Sequence, residues 1–482
     1  MDLQQAIDSI DDLMSRALRA GRIPGAGMAI VAQGQIALSR GYGFRDLRSG
    51  LPLTADTAYP IASTTKALNA TLIGMLVDEG KLAWDTPVQE YLPGFRLKDP
   101  VAGAQATLRD LLSLRTGLPR HDWMWLENPL TRAELVHRLR YLEPFAGFRE
   151  KFQYHNMTAT TAGYIAEVVT GKGWNDLIQE RLLTPLQMQR TGFANPTDNA
   201  TLSYHEDSNR NLLLSERFVT DVTAPSGGVI HSTVTDMTRW MLFNLNGGTY
   251  GSRALIQPKT LAEVQAPQMP ARTDPSCPTP NAAYAMGWFV DTYNGRARLT
   301  HGGYLHDVNS EVSLHPQEGI GIVSFTNFGC PGLARTLNQH AYDLLMGFPT
   351  EYSFENKLAD YEKNVEQTRV RNASLERVEN TSPSHPLNDY AGTYGHPGYG
   401  ILEVRIEDRE LVLRRNTLML RLQHWHYDAW VVKDAHRFVI HAPHPFERAN
   451  RWRFETNAEG EIAGLVVALE PAIAPLRFEK TS

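Results

Sequence analysis

Ser63 and Lys66 form the first group of side chains in the sequence that could carry out chemistry. They are three residues apart at the start of a segment with helical periodicity, so both project from nearly the same face of a helix. A serine hydroxyl is a poor nucleophile until a base takes its proton. A lysine at a buried helix start can be that base, because desolvation and the positive end of the helix dipole disfavour its ammonium form. The alternative is that Ser63 is only a helix N-cap.

Two further segments could complete a site for acyl transfer. Tyr154 and Asn156 flank a single residue at the opening of a second helical pattern, so both side chains can point into one cleft. A tyrosine can relay a proton to or from the serine oxygen, and the asparagine amide can hold a substrate carbonyl. Further along, the segment His301–Tyr304 ends a strand pattern, and its two glycines permit the backbone to approach a ligand closely. Each segment alone would instead indicate a packed loop tyrosine or a turn with a surface histidine.

A fourth segment, which follows the turn at Leu118–Pro119, is rich in large side chains. His121, Asp122, Trp123 and Trp125 in this segment could form an aromatic rim over the cleft, and we expect His121 and Trp123 to contact substrate. The alternative is simple packing of a long loop, and the sequence does not decide between the two.

Several common catalytic signatures are missing from the sequence. It contains no phosphate-binding loop of the Walker type, no H-E-x-x-H, no G-x-G-x-x-G after a strand and no G-x-S-x-G elbow. This excludes most nucleoside triphosphatase, zinc protease, dinucleotide-binding and α/β-hydrolase interpretations. We therefore expect no cofactor and no metal.

The elements that must position these residues belong to a mixed α/β (α+β) body. A helical pattern covers the first 20 residues, a second runs from about Thr64 to Gly80, and a third begins near Asn156. Strand-like runs and turns follow at Ala285–Asp291, Ala297–Thr300, Glu311–Leu314 and Ile320–Thr326. Helices in the middle of the chain and strands from both ends predict an antiparallel sheet flanked by helices, with a helical subdomain, over residues 1–350.

The remainder of the chain has a different pattern. Residues 351–384 combine a charged helix with a linker, which the segment NTSPSHP breaks. Short strand-like runs then recur and predict a C-terminal antiparallel β-barrel over residues 385–482. The runs are Ile401–Ile406, Leu411–Arg414, Leu418–Leu422, Trp430–Val432, Phe438–His441, Trp452–Phe454 and Leu465–Leu469. Because none of the candidate catalytic residues lies there, we expect the barrel to be separable from the body and to restrict access or mediate self-association.

Composition and charge narrow the class of protein. Of 482 residues, 42% are hydrophobic, and 47 basic against 53 acidic residues leave a net charge of −6, which does not favour binding to nucleic acid or to an anionic membrane. No signal peptide or membrane-spanning run is visible. With only Cys277 and Cys330 available, a disulfide framework is not expected. These features predict a cytoplasmic protein.

The ordered set Ser63-x-x-Lys66, Tyr154-x-Asn156 and His301-x-Gly303 resembles the serine β-lactamase and penicillin-binding-protein superfamily, in particular its class-C-like branch of esterases and D-aminopeptidases. The resemblance covers about residues 7 to 347, because other segments also match: Leu111–Pro119, Pro225–Val229, Ala285–Trp288 and Phe325–Asn327. Tyr390–Tyr394 resembles part of the lipocalin-like module often appended to this branch.

The resemblance implies a mechanism. Ser63 would attack the acyl carbon, and Lys66 and Tyr154 would share the roles of general base and general acid. The backbone N–H groups of Ser63 and Tyr304 would hold the oxyanion, Asn156 would position the substrate, and water would hydrolyse the acyl-enzyme. Which of Lys66 and Tyr154 carries the resting charge stays open, because two groups this close titrate as a pair.

One position departs from the family pattern. The third motif of β-lactamases and carboxypeptidases begins with lysine, and here it begins with His301 and continues to Gly303. A permanent cation that would bind a substrate carboxylate is thus replaced by a group near neutrality at pH 7. We therefore expect an esterase or peptidase rather than a dedicated β-lactamase, acting on a small ester, amide or short peptide and able to form a homo-oligomer. The alternatives are a D-stereospecific aminopeptidase, a weak β-lactamase, or a catalytically silent sensor of peptidoglycan fragments.

Overall fold

The structure is a computed structural model, and it describes residues 3–194, 196, 198–207, 210–215, 221–271, 281–373, 376–433 and 451–481. Cys277 and the predicted strand Phe438–His441 lie outside these residues. Cys330 is buried and makes no disulfide. None of the described helices combines the length and the apolar character needed to cross a membrane.

The helices of the body form two groups, one packed against a central sheet and one that forms a helical subdomain. In chain order the described helices are α1 (Leu3–Ala20), α2 (Thr65–Asp78), α3 (Val88–Tyr91), α4 (Pro100–Gln105), α5 (Leu108–Leu112), α6 (Arg132–Arg138), α7 (Met157–Thr170), α8 (Trp174–Ile178), α9 (Val234–Leu245), α10 (Pro258–Gln265), α11 (Leu333–Met346), α12 (Phe354–Ala373) and α13 (Leu387–Tyr390). Helices α2, α5, α7 and α8 pack on one another and make up the helical subdomain.

A nine-stranded sheet forms the centre of the body. Its order is β10-β11-β12-β13-β14-β15-β1-β2-β3, so the N-terminal hairpin pairs with the last strand of the body. The strands are β1 (Gly25–Ala32), β2 (Gln35–Asp46), β3 (Leu51–Pro52), β10 (Met269–Pro270), β11 (Ala283–Tyr284), β12 (Phe289–Tyr293), β13 (Arg296–Leu305), β14 (Val308–His315) and β15 (Ile320–Thr326). Each pair of neighbouring strands from β12 through β15 is antiparallel, as the sequence predicts. The pairs β15 with β1 and β1 with β2 are also antiparallel.

Short two-stranded ribbons connect the helices of the body. They are formed by β4 (Tyr59–Pro60) with β7 (His231–Ser232), β5 (Tyr204–Glu206) with β6 (Leu212–Leu214), and β8 (Thr249–Tyr250) with β9 (Arg253–Ala254). The first ribbon lies directly before Ser63 in the chain. It ties this turn to the segment that precedes α9.

Both faces of the central sheet are covered by helices. Along β1, Ala29 and Val31 belong to the core that contains α2 and α9, whereas Met28 and Ile30 belong to the core that contains α1 and α11. All eight residues of this strand are buried. Alternating side chains of a strand point to opposite faces, and here both faces are apolar because each has its own helical layer. The body is therefore the predicted α+β arrangement.

The C-terminal barrel is closed and has eight strands in sequence order. They are β16 (Gly392–His396), β17 (Gly400–Glu407), β18 (Glu410–Arg415), β19 (Leu418–His426), β20 (Ala429–Val432), β21 (Arg451–Thr456), β22 (Ile462–Val467) and β23 (Leu476–Lys480). Closure leaves no unpaired sheet edge, which an open sheet would expose. The predicted antiparallel barrel is confirmed, and eight closed strands are consistent with a lipocalin-like module.

The barrel shares a core with the body. Trp123 of the body packs edge-on against Trp452, a fully buried barrel residue, with ring centroids 6.1 Å apart. The buried guanidinium of Arg415 donates to the carbonyl of Trp123. The barrel and the body are therefore in direct contact, and the prediction that the body folds without the barrel stays a prediction.

Candidate active site

Ser63 lies in a single turn of 3-10 helix, Ala62–Thr64, which leads directly into α2. Ala62 has a φ of 48°, in the left-handed region that a residue with a side chain adopts only when its surroundings impose it. Ala62 and Thr64 are buried, whereas Ser63 is partly exposed. The turn thus presents one hydroxyl to solvent from an otherwise buried segment.

Two glycines allow neighbouring backbone to press against this turn. A Cβ on Gly303 in β13 would lie 2.4 Å from the carbonyl oxygen of Ile61, and a Cβ on Gly227 would lie 2.5 Å from that of Ala62. Either contact is closer than any side chain tolerates. Gly303 therefore lets β13 lie against the turn that carries Ser63, which brings Ser63 and Tyr304 to the lining of one pocket. The approach of Gly303 to a ligand stays a prediction. The other lining residues are Ala62, Trp125, Asn156, Thr223, Ser226, Gly227, Gly228 and Leu305.

The Lys66 amine is buried and makes three polar contacts. Its Nζ lies 3.1 Å from Ser63 Oγ, 2.7 Å from Asn156 Oδ1 and 2.7 Å from the carbonyl oxygen of Ser226. The amide and carbonyl oxygens can only accept, so each takes an N–H from Lys66. A neutral amine has two N–H bonds and one lone pair. In that form the lone pair is left for Ser63, whose hydroxyl can donate its proton to it.

The electrostatic surroundings favour this neutral form. Burial lowers the pKa of Lys66 well below its usual range, and the positive charge of Arg120 lowers it further, while the carboxylate of Asp122 acts in the opposite direction. Lys66 is 1% exposed, so water does little to solvate the ammonium.

Tyr154 lies in the loop before α7, and its hydroxyl hydrogen-bonds the Ser63 side chain. Lys66 Nζ is 4.8 Å and Arg120 Cζ 5.1 Å from the centre of its ring. Burial raises the pKa of Tyr154 to about 12, although Arg120 and the bond to Ser63 lower it. The phenol is therefore protonated at neutral pH, and Lys66 is the member of the pair that can accept the Ser63 proton.

His301 is buried next to Tyr154 in an aromatic cluster. Its Nδ1 lies 2.7 Å from the carbonyl oxygen of Gly302, so this nitrogen carries a proton and donates it. Its Nε2 lies 3.0 Å from the hydroxyl of Tyr284, and the rings of Tyr154 and Phe289 are also close. Both ring nitrogens are thus occupied within the protein, and His301 is 2% exposed. This ring shapes the wall behind Tyr154.

A family model described as Beta-lactamase matches residues 10–345 of the chain. The chain belongs to this beta-lactamase family. A second model, described as a domain of unknown function, matches residues 376–480 and so covers the C-terminal barrel. The first match contains every candidate catalytic residue.

Among relatives, an unguisins hydrolase from Aspergillus violaceofuscus (strain CBS 115571) is 30% identical over 431 residues, which are 81% of this chain and 75% of that protein. Two solved structures of the beta-lactamase fold also match. The octameric penicillin-binding protein homologue from Pyrococcus abyssi aligns with a TM-score of 0.63 and 19% identity over 100% of both chains. The class C beta-lactamase from Rhodobacter sphaeroides aligns with a TM-score of 0.58 and 21% identity over 70% of this chain and 99% of that one. At these identities the two structures show the fold.

His121 and Trp123 are not on the rim of the beta-lactamase-type cleft. Both are buried, His121 between Tyr399 of the barrel and the carbonyl oxygen of Glu143, and Trp123 against Trp452. Their prediction as substrate-contacting residues is replaced by the packing alternative. The physical reason is the barrel, which covers this face of the loop.

Two residues contact Tyr154 and Asn156 beyond the predicted catalytic set: Arg120, which the sequence does not single out, and Asp122, which it places only in the aromatic rim. Asp122 accepts a hydrogen bond from Asn156, and Arg120 lies over the ring of Tyr154. Both belong to the loop after Leu118–Pro119, which the sequence predicts as an aromatic rim over the cleft. The sequence does contain a signal for these two residues, because opposite charges stand here among large apolar side chains. Charges in a segment that becomes buried need partners inside the fold.

Proposed function

We propose that the protein is a serine hydrolase that cleaves ester or amide bonds through an acyl-enzyme on Ser63. The observation that carries the proposal is the contact set of Lys66. Two acceptor-only oxygens, from Asn156 and Ser226, take its N–H groups, and the remaining direction points at Ser63 Oγ, 3.1 Å away. A base held in this way has its lone pair directed at the nucleophile before substrate binds.

In the acylation step, Ser63 Oγ attacks the acyl carbon as its proton passes to Lys66 Nζ. The charge that develops on the acyl oxygen is stabilised by the backbone N–H groups of Ser63 and Tyr304, which border the same pocket. The tetrahedral intermediate then collapses, and the leaving alcohol or amine takes a proton from Lys66 or, through the hydroxyl hydrogen-bonded to Ser63, from Tyr154. Where Tyr154 protonates the leaving group, Lys66 returns the proton taken from Ser63 to the phenol, so Lys66 is neutral again in either case. In the second half of the reaction, water attacks the acyl-enzyme and gives a proton to Lys66, and this proton passes to Ser63 Oγ as the acid product leaves.

Tyr154→Phe is expected to lower the acylation rate roughly 100-fold with a modest change in KM, since the ring remains and only the hydroxyl that contacts Ser63 is lost. Pre-steady-state kinetics on a p-nitrophenyl ester measure this rate. Tyr164→Phe is a suitable control, because that tyrosine lies on α7 away from Ser63. Wild-type acylation by Tyr154→Phe would show that Lys66 acts without it.

The substrates that we propose are neutral esters or amine-terminated amides. Support comes from His301, whose ring nitrogens are bound to Gly302 and Tyr284 and so offer no fixed cation to a substrate carboxylate. The related Aspergillus protein is named a hydrolase of unguisins, which supports hydrolysis as the reaction class. A D-stereospecific aminopeptidase and a weak β-lactamase are the alternatives within the same chemistry.

His301→Lys is expected to shift the ratio of kcat/KM for a chromogenic cephalosporin over a p-nitrophenyl ester upward by about tenfold, because the longer lysine side chain can bring an ammonium group to the cleft, where the histidine offers no fixed charge. His301→Gln removes the ring without adding charge and controls for the lost packing. An upward shift of the same size in both variants would contradict the role assigned to charge.

A substrate panel tests the proposal as a whole. We expect p-nitrophenyl esters and D-amino-acid amides to be hydrolysed faster than the cephalosporin. A wild-type enzyme that prefers the cephalosporin would favour the β-lactamase alternative. Binding of peptidoglycan fragments without turnover of any substrate would favour the silent sensor instead.

Self-association is part of the same proposal. The penicillin-binding protein homologue that aligns over the whole chain is described as octameric, which supports a homo-oligomer here. The proposed reaction uses no nucleic acid, membrane or cofactor. A cytoplasmic location stays a prediction from the sequence.

A further inference from the structure

The loop of residues 120–127, which we call the bridging loop, lies between the barrel and the catalytic residues. On the barrel side, the carboxylate of Glu470 accepts the backbone N–H of His121 at 2.9 Å, and the hydroxyl of Tyr399 lies 2.6 Å from Nδ1 of the same histidine. Nε2 of His121 must donate to the carbonyl oxygen of Glu143, so Nδ1 accepts from Tyr399. Burial lowers the pKa of His121 to about 3, which keeps this arrangement neutral.

Further barrel contacts hold the rest of the bridging loop. Arg415 donates to the carbonyl oxygens of Trp123 and Met124, and Glu127 accepts from the hydroxyl of Thr417 at 2.6 Å. The barrel residues that make these contacts lie in or beside three connections: β16–β17, β18–β19 and β22–β23. In an antiparallel barrel these three connections lie at the same end. This end of the barrel therefore holds the bridging loop in place.

On the catalytic side, Asp122 binds Asn156. One carboxylate oxygen accepts from Asn156 Nδ2 at 3.2 Å and from Trp125 Nε1 at 3.1 Å, and the other accepts from Arg120 Nε at 2.7 Å. A carboxylate only accepts, so the amide must turn its nitrogen toward Asp122 and its oxygen toward Lys66. This orientation is the one that directs the Lys66 lone pair at Ser63.

We infer that Asp122 is a positioning residue for the proposed reaction, and that the barrel is an indirect part of the active site because it holds the bridging loop that carries Asp122. The inference rests on the proposed function. The barrel affects the reaction through a series of contacts that runs from Glu470 to His121, along the chain to Asp122, and from Asp122 to Asn156.

The charges of the bridging loop also act on Lys66 from a short distance. Among the described residues, the titratable groups that face Lys66 are Arg120, Asp122, Tyr154 and His155. His301 and Tyr284 face Tyr154 from the other side of the cluster. Arg120 lowers the pKa of Lys66 and Asp122 raises it. The acidic limb of kcat/KM reports deprotonation of the base in the free enzyme. Removal of one charge should therefore move this limb in the opposite direction from removal of the other.

The first test measures kcat/KM for a p-nitrophenyl ester against pH in Asp122→Asn and Arg120→Gln. Asp122→Asn is expected to lower the plateau about 10- to 100-fold, because Asn156 loses its fixed orientation, and to move the acidic limb to lower pH by roughly one unit. Arg120→Gln is expected to move the limb to higher pH. Asp122→Glu, which keeps the charge, should keep the wild-type limb. Lower rates with an unmoved limb in both variants, or shifts in the same direction, would overturn the inference.

The second test follows the contact chain back to the barrel in the full chain. Glu470→Ala is expected to lower kcat about tenfold with little change in KM, whereas Glu459→Gln, at an exposed barrel position, should match the wild type. Circular dichroism verifies folding of each variant. Wild-type kcat in Glu470→Ala would show that the barrel does not act through the bridging loop. A wild-type protein that neither hydrolyses the ester nor reacts with a fluorophosphonate would instead count against the proposed function.

Discussion

Ser63→Ala is expected to lose turnover by 1,000-fold or more and to lose all labelling by a fluorophosphonate probe, since none of the remaining groups can replace a covalent nucleophile. The effect should be specific to this hydroxyl. Ser226 lines the same pocket and provides its backbone carbonyl to Lys66, which Ser226→Ala retains. We therefore expect Ser226→Ala to react with the probe, and digestion should place the adduct on the peptide that contains Ser63. Persistent turnover by Ser63→Ala would remove the basis of the assignment.

Lys66→Arg is expected to reduce the acylation rate by roughly 100- to 1,000-fold, although a basic side chain of similar length is kept. A guanidinium stays protonated in a protein and has no lone pair to accept the Ser63 proton. Stopped-flow measurement of the p-nitrophenol burst reports acylation directly. Lys172→Arg, at an exposed position, is the matched control for the substitution itself. A burst at the wild-type rate in Lys66→Arg would mean that the base is another group.

The fold could be predicted where local patterns are strong. The helix expected from Thr64 to Gly80 is Thr65–Asp78 in the structure, and the expected strands Glu311–Leu314 and Ile320–Thr326 lie within β14 and β15. Periodicity indicates such elements because each has a clear apolar face or run. The first and last barrel strands, β16 and β23, were not predicted. They are short and mix exposed and buried positions, and their strand character depends on pairing with each other across the closure.

The candidate site could be predicted in part for a similar reason. Spacing at the starts of helices places Ser63 beside Lys66 and Tyr154 beside Asn156, and the resemblance to the beta-lactamase family implies that the two pairs share one site. The contact of the Ser226 carbonyl with Lys66 has no side-chain signature, since any residue has that oxygen. Asp122 binds Asn156 from a loop that the barrel holds, through contacts such as that of His121 with Glu470, 349 residues further along the chain. Contacts of this kind are set by tertiary packing and leave little trace in a local pattern.

The most direct test of the account is to trap the acyl-enzyme. An activated ester mixed with the wild-type protein and quenched in acid on the millisecond scale should give an intact mass increased by the acyl group. Peptide mapping by tandem mass spectrometry should place that group on Ser63, and Tyr154→Phe should reach the same adduct more slowly. Hydrolysis of the ester with no covalent adduct at any time, or an adduct on a different residue, would contradict catalysis through Ser63.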